Sequence, residues 1–414
     1  LCGEFKDTFT YFQNVGTRSE PIYARGRALV TGDAGRLLTM DLQMITPVSV
    51  DWDGDGDLDL ICGDEDGRVA FIEHTGKVID GQPRFREPRY FKQEAADLKF
   101  GALATPVGFD WDGDGDDDIL CGNTAGHIGL FENLSGPGVE RPKWAAPVLL
   151  EAGGETIRIQ AGYNGSIQGP AEAKWGYTTL TAADWDHDGL PDLVANSLWR
   201  KAVWYRNDGT RRAPRLAAGQ PVRVAWDEST NGRSPKPAWN WWDPVGDELV
   251  TQWRTTPVAI DFNRDGLTDL VMLDHEGYLA FFERARRDGK VVLLPPKRIF
   301  VDEKGEAIRL NSGVAGRSGR RKVCVVDWDG DGRLDVLVNS ENADLLRHVG
   351  ERDGKVVLKA MGTLDKRKVS GHTSSPTVID LNEDGVPDLL VGAEDGRLYY
   401  RRNGRGDSDT SDNR

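Results

Sequence analysis

Apolar residues along this chain fall in short runs, and polar, glycine-rich stretches separate them. TPVSV (46–50), TPVGF (105–109), TPVAI (256–260) and SPTVI (375–379) each precede an acidic stretch. LDLICG (58–63), DILCG (118–122), DLVML (269–273) and DLLVG (388–392) each come directly after one. A third set, RVAFIEH, HIGLFEN, KAVWYRN, YLAFFER and RLYYRRN, comes a few residues later. Runs of this length, bounded by turn residues and rich in β-branched and aromatic side chains, predict strands. Fourth runs are weaker, with PRYFK (88–92) and KRIFV (297–301) the clearest. The expectation is an all-β chain of repeated four-stranded meanders, with strands A to D in order.

The acidic stretch between A and B recurs six times: DWDGDGDLD (51–59), DWDGDGDDD (110–118), DWDHDGLPD (184–192), DFNRDGLTD (261–269), DWDGDGRLD (327–335) and DLNEDGVPD (380–388). Positions one, three, five and nine carry Asp or Asn, and position six is Gly. A hard cation takes several oxygens, and Gly allows the tight turn that converges them, so the boxes predict calcium sites. The expected ligands are Asp51, Asp53, Asp55 and Asp59; Asp110, Asp112, Asp114 and Asp118; and Asp184, Asp186, Asp188 and Asp192. The later boxes add Asp261, Asn263, Asp265 and Asp269; Asp327, Asp329, Asp331 and Asp335; and Asp380, Asn382, Asp384 and Asp388.

Box starts lie 53 to 77 residues apart, the length of one propeller blade plus its loops. The first 35 residues read as strands B, C and D of a further blade without its box. Six boxes and that partial blade predict a seven-bladed β-propeller with calcium-binding Asp boxes in the A–B turns. It would form a single domain over 1–403, with a disordered polar tail over 404–414. The chain starts in mid-blade, so a segment that closes the ring is expected upstream.

Charge and cysteine content change this picture little. The net charge is −15, and six calcium ions would bring it to about −3, so the acidity belongs to the metal sites. Cys2, Cys62 and Cys121 share a strand-B position in successive blades, and Cys324 sits alone in a strand A. All four are expected as small buried residues, not bridged or catalytic thiols. No run of 18 apolar residues exists, so no membrane span is expected.

These boxes resemble the FG-GAP and VCBS repeats of seven-bladed propellers, which include integrin α-subunit heads and many secreted bacterial proteins. Among enzymes the chain resembles single-propeller lyases acting on rhamnose–glucuronate linkages, ulvan or rhamnogalacturonan. The resemblance implies the fold, whereas catalytic roles come from the chain itself.

In a four-stranded meander the A–B turns share one face and the D–A and B–C loops share the other. Residues just before each strand A therefore crowd the funnel opposite the boxes. They are Gln43, Lys99, Lys174, Trp175, Tyr177, Gln252, Trp253, Arg254, Arg317, Arg320, Arg321 and His372, with Asn123, Asn196, His275, Asn339 and Glu394 from the B–C turns. Two long loops, 151–179 and 234–256, lie beside it, and the second holds Trp239, Trp241, Trp242 and Trp253. Cations would pair a carboxylate or sulfate, and tryptophans would stack on a sugar ring. The plainer alternative is that these polar residues satisfy loop carbonyls and the tryptophans cap a blade.

Acidic polysaccharide or oligosaccharide is thus the expected partner, with no nucleic acid, for a secreted or periplasmic monomer. The expected reaction is β-elimination, in which Arg254, Arg317, Arg321 and Lys174 neutralise the uronate carboxylate while His372, His275 or Tyr177 moves the proton. Gln43, Lys99, Trp175, Gln252, Trp253, Arg317, Arg321, Trp241 and Trp242 would bind substrate. The alternatives are a glycan- or protein-binding propeller without activity and a glycoside hydrolase. A hydrolase normally needs two facing carboxylates, and the funnel offers chiefly Glu394 and Glu172. His74, His127 and His348 lie on or beside outer strands, His187 faces solvent within a box, and RGD at 405–407 lies in the tail.

Overall fold

The structure, a computed structural model, describes residues 1–92, 97–166, 169–199, 201–227, 230–236, 243–311, 320–371 and 373–405. Trp239, Trp241, Trp242, Arg317, His372 and the tail beyond Arg405 lie outside the described residues. The chain is built from strands, with a short 3-10 turn at Pro170–Glu172. It divides into two compact units, 1–96 with 160–175 and 97–159 with 176–414.

Each box is the turn between two antiparallel strands, and the register is the same in all six. The residue before the box pairs with the box's ninth position: Val50 with Asp59, Phe109 with Asp118, Ala183 with Asp192, Ile260 with Asp269, Val326 with Asp335 and Ile379 with Asp388. That ninth Asp is buried at the root of strand B in every repeat. The second-position N–H donates to one of its oxygens in five boxes, at 3.0 Å from Trp52 and 3.2 Å from Trp328 in two of them. Its other oxygen accepts an N–H from the end of strand C, that of His74 at 2.8 Å and of His348 at 2.7 Å. The box thus folds around a carboxylate that stitches the A–B turn to strand C.

The sheets are numbered I to VI by box. In the larger unit, sheet II runs Thr105–Phe109, Asp118–Gly122, Ile128–Phe131 and Val148–Leu149, and sheet III runs Thr179–Ala183, Asp192–Asn196, Val203–Tyr205 and Gln220–Pro221. Sheet IV has Val258–Ile260, Asp269–Leu273 and Leu279–Phe282, and sheet VI has Ser375–Ile379, Asp388–Gly392 and Leu398–Arg401. Sheet V has Val323–Val326, Asp335–Asn339 and the long hairpin Ala343–Arg352 with Lys355–Thr363. The run KRIFV, expected as sheet IV's fourth strand, pairs Lys297 with Phe281 but sends Phe300–Val301 parallel to sheet V's outer strand.

Apolar clusters fill the space between neighbouring sheets: II with III around Leu120 and Leu193, III with IV around Val194 and Met272, IV with V around Val271 and Val336, and V with VI around Leu337 and Val391. A further cluster joins VI back to II, placing Ile379 and Leu390 against Ile119 and Phe131. A Cβ at Gly108 of sheet II would come within 2.8 Å of Ile379, so glycine permits that approach. The five A strands therefore surround a common axis, with a cavity of about 80 Å³ lined by Thr105, Thr181, Thr256, Val323 and Ser375. Seven sheets in one ring were expected, whereas this unit closes on five. Repeat spacing counts blades but does not say which strand A meets the last one.

The smaller unit holds sheet I (Thr46–Val50, Asp59–Gly63, Val69–Ile72 and Arg89–Tyr90) and the three-stranded sheet of Cys2–Gly3, Phe9–Tyr11 and Arg27–Ala28. The latter is the partial meander read from the first 35 residues. A second four-stranded sheet joins Val30–Thr31 and Arg36–Leu37 to the hairpin His74–Ile79 with Gln82–Phe85. Phe9, Leu29, Met40, Leu60 and Phe85 form its core. The four cysteines are free; Cys2 is exposed, against expectation, while burial pushes Cys62, Cys121 and Cys324 up to about 12.

Candidate functional site

The larger unit gathers a cationic cluster where its axis opens at the start of the A strands. Residue pairs just before those strands bond from sheet to sheet. The Thr105 hydroxyl donates to Thr178 O at 2.7 Å, and the Thr179 hydroxyl donates to Thr255 O at 2.7 Å. At the equivalent place in sheet V stands Lys322, whose Nζ reaches Thr373 Oγ1 at 3.2 Å and Ser374 O at 3.5 Å. A lysine thus fills a slot that carries Thr46, Thr105, Thr179, Thr256 or Ser375 in the other repeats.

Two positions earlier the backbone turns left-handed, at Leu103 (φ 52°), Tyr177 (φ 52°) and Arg254 (φ 60°), with Met44 (φ 55°) its counterpart in sheet I. Bulky residues seldom adopt this conformation, and it clusters at sites where side chains must be aimed. Leu103, Tyr177, Arg254, Arg320, Lys322 and Thr373 line a cavity of about 10 Å³, room for about one water-sized group. The Arg254 guanidinium lies over the Tyr177 ring and 4.7 Å from the Trp253 centroid. No carboxylate lines this mouth among the described residues.

Burial pulls Lys322 down to about 7, and the charges of Arg254 and Arg320 push the same way. Among the described residues no acidic group ion-pairs with Lys322. A lysine that is 5 % exposed and faces two arginines is costly to the fold. The arrangement suits an arriving anion: a carboxylate or sulfate would restore the desolvated ammonium's charge and pair with the guanidinia.

Of the other expected site residues, Tyr177 and Arg254 come together at the mouth, and Trp253 is 4 % exposed beneath them. Gln252 is fully buried, bonding His275 O at 3.0 Å and Asn311 at 2.9 Å. Arg321 turns to backbone carbonyls, donating to Leu310 O at 3.0 Å and Asn339 O at 3.2 Å. Lys99 is exposed, in a bridge to Arg397. His275 lines a separate pocket of about 420 Å³ with Trp226, Pro295, Pro296 and Arg298, and burial lowers its pKa.

Gln43, Lys174 and Trp175 belong to the smaller unit. There Lys174 pairs with Asp7 at 2.8 Å and donates to Met40 O, Gln43 meets Pro170 O, and Trp175 packs edge-on against Phe5 at 5.6 Å. Asn196 and Asn339 satisfy D–A loop groups, Asn196 bonding Thr251, Gln252 O and Thr255 O at 3.1–3.2 Å. His74 bonds Asp57 at 2.6 Å, and His127 meets Ile157 O.

The boxes form the second candidate site. Ligand oxygens of Asp51, Asp53 and Asp59, of Asp110, Asp112 and Asp114, of Asp184, Asp186 and Asp188, and of Asp327, Asp329 and Asp335 lie within 4.8 Å of one another. Crowding at box two is severe. Asp116 is 3 % exposed, neither oxygen makes a well-formed hydrogen bond, and burial together with Asp114, Asp112 and Asp110 pushes it up to about 6. Converging hard oxygens that repel one another fit a divalent cation, and calcium's tolerance of irregular coordination suits a flexible turn.

The chain carries FG-GAP-like repeats. The family of that description matches residues 51–121, which hold boxes one and two, and 327–391, which hold boxes five and six. No curated protein matches. Among solved structures, a chain of the Photorhabdus luminescens Tc holotoxin pore is 16% identical with TM-score 0.31; the alignment covers 95% of this chain and 16% of that one. BBS1N in complex with ARL6DN is 10% identical (TM-score 0.29; 87% and 91% covered), and an arginine mutant of AofleA from Arthrobotrys oligospora is 12% identical (TM-score 0.29; 83% and 79%).

Proposed function

We propose that the chain is a calcium-stabilised protein of the extracellular or periplasmic space that engages an acidic saccharide at the axial mouth and cleaves it by β-elimination. One observation carries this: Arg254, Arg320 and the buried Lys322 converge at the mouth, and among the described residues that line it there is no carboxylate. These three hold the uronate carboxylate, which draws charge from C5 and makes its proton removable. Tyr177, beside them, acts from its phenolate form: it takes that proton to become the phenol and passes it to the leaving O4, returning to phenolate, as the C4–O4 bond breaks and the C4–C5 double bond forms. Calcium in the boxes holds the A–B turns and takes no part in the chemistry.

A second reading, recognition without turnover, is favoured by the size of the mouth: about 10 Å³ holds one water-sized group, such as a single carboxylate oxygen, and no ring. Titration with glucuronate-containing oligosaccharides, monitored at once by calorimetry and by ultraviolet absorbance, separates the two. Binding with a rise supports elimination, binding alone supports the module, and neither removes the acidic-saccharide reading.

A further inference from the structure

The six repeats differ in charge at a place beside the box. The N–H that meets the inner oxygen of the ninth-position Asp belongs in turn to His74, Asn133, Asn207, Arg284, His348 and Asn403. The residue just before it is Glu73, Glu132 and Glu283 in sheets I, II and IV, but Arg206, Arg347 and Arg402 in sheets III, V and VI. The three arginines sit on the carboxylates of their own boxes. Arg206 Nε is 3.0 Å from Asp186 and its Nη2 is 3.6 Å from Asp188. Arg347 spans Asp329 and Asp331 in the same way, and Arg402 is 3.4 Å from Asp384.

The glutamate repeats lack this clamp. Among the described residues Asp51, Asp53, Asp55 and Asp59 pair with no Lys or Arg. Glu73 and Glu283 turn instead to Arg86, Arg89 and Lys297. In box two Arg211 of sheet III reaches Asp110 at 3.0 Å but leaves Asp112 and Asp114 to each other and to the buried Asp116.

We infer that the boxes form two classes: those at 51–59, 110–118 and 261–269 take calcium, and in those at 184–192, 327–335 and 380–388 an intramolecular guanidinium takes its place. The inference rests on the calcium reading above. Calcium entering an arginine box must break an ion pair at position five, and in the boxes at 184–192 and 327–335 one at position three as well, and leave a guanidinium beside a dication, a like-charge cost that the glutamate boxes lack. Half the turns therefore stay neutralised when calcium is scarce.

Isothermal titration of the decalcified full chain with calcium tests this, with terbium luminescence as an independent count. About three sites are expected, and Arg206→Gln should add one, as should Arg347→Gln if the first variant does not fold. Glu73→Arg should remove one. In chelator, Arg206→Gln should melt lower than wild type and recover with calcium. Six equivalent sites in the wild type, or an unchanged count in both glutamine variants, would overturn the two-class assignment. No binding of either ion would overturn the calcium reading itself, so the two failures are distinguishable.

Discussion

Arg254 of sheet IV lies across the ring of Tyr177 of sheet III, and both stand in left-handed backbone at the same repeat position. Two neighbouring sheets thus present one composite surface, aromatic below and cationic above, at the opening of the axis. Removing the guanidinium should cost a charge-assisted contact of about 1.5–3 kcal/mol, a loss of roughly ten- to hundred-fold in saccharide affinity. Arg254→Lys should recover only part of it, because a planar fork becomes a point charge. Calorimetry of both variants checks this, and equal affinity in all three proteins would remove Arg254 from the site. Trp253→Ala is expected to lower the melting temperature as well, since that indole is 4 % exposed.

Lys322 gives the site a pH signature. Its folded pKa of about 7 lies below the ordinary 10.5. Between those values the unfolded chain binds a proton that the folded chain does not, so this group makes stability rise with pH across that window. Below about 7 the native state holds the buried charge and bears its full cost, on the order of a few kcal/mol. Lys322→Met should therefore melt higher than wild type at pH 7, lose the rise between pH 7 and 10, and bind anions more weakly. Melting curves across that range decide it; a destabilised methionine variant with the same pH slope would show that the ammonium is not what the fold tolerates there.

Positions three and nine of a box should separate cleanly. The two oxygens of Asp59 hold the N–H groups of Trp52 and His74, so Asp59→Ala strands the buried His74 donor at about 1–3 kcal/mol and frees the part-buried Trp52 N–H to water. Its melting temperature should fall with calcium and with chelator alike. Asp53→Ala should fall only when calcium is present, because it forfeits binding energy available to the folded state alone. Equal losses in both conditions for both variants would mean that box one is a hydrogen-bonded turn and nothing more.

Much of the fold was legible because its signals are local. The six A–B turns and the partial first meander come from Gly and Asp placement and from short apolar runs. The closure of sheet VI on sheet II was not, since it depends on a long-range contact between Ile379 and Gly108 that no spacing encodes. At the site, Tyr177 and Arg254 were found by their place before strand A. Lys174 and Trp175 share that place in the chain, yet their segment packs with the smaller unit. Lys322 was missed although its signal was present: one lysine in a column of threonine and serine just before strand A.

The most direct test is the ultraviolet absorbance of uronate-containing polysaccharides and oligosaccharides incubated with the calcium-loaded protein. A steady rise is expected as unsaturated uronate ends form, with loss of the rise in Arg254→Ala and in Tyr177→Phe. New reducing ends without absorbance, or a rise that persists in both variants, would contradict elimination at this mouth.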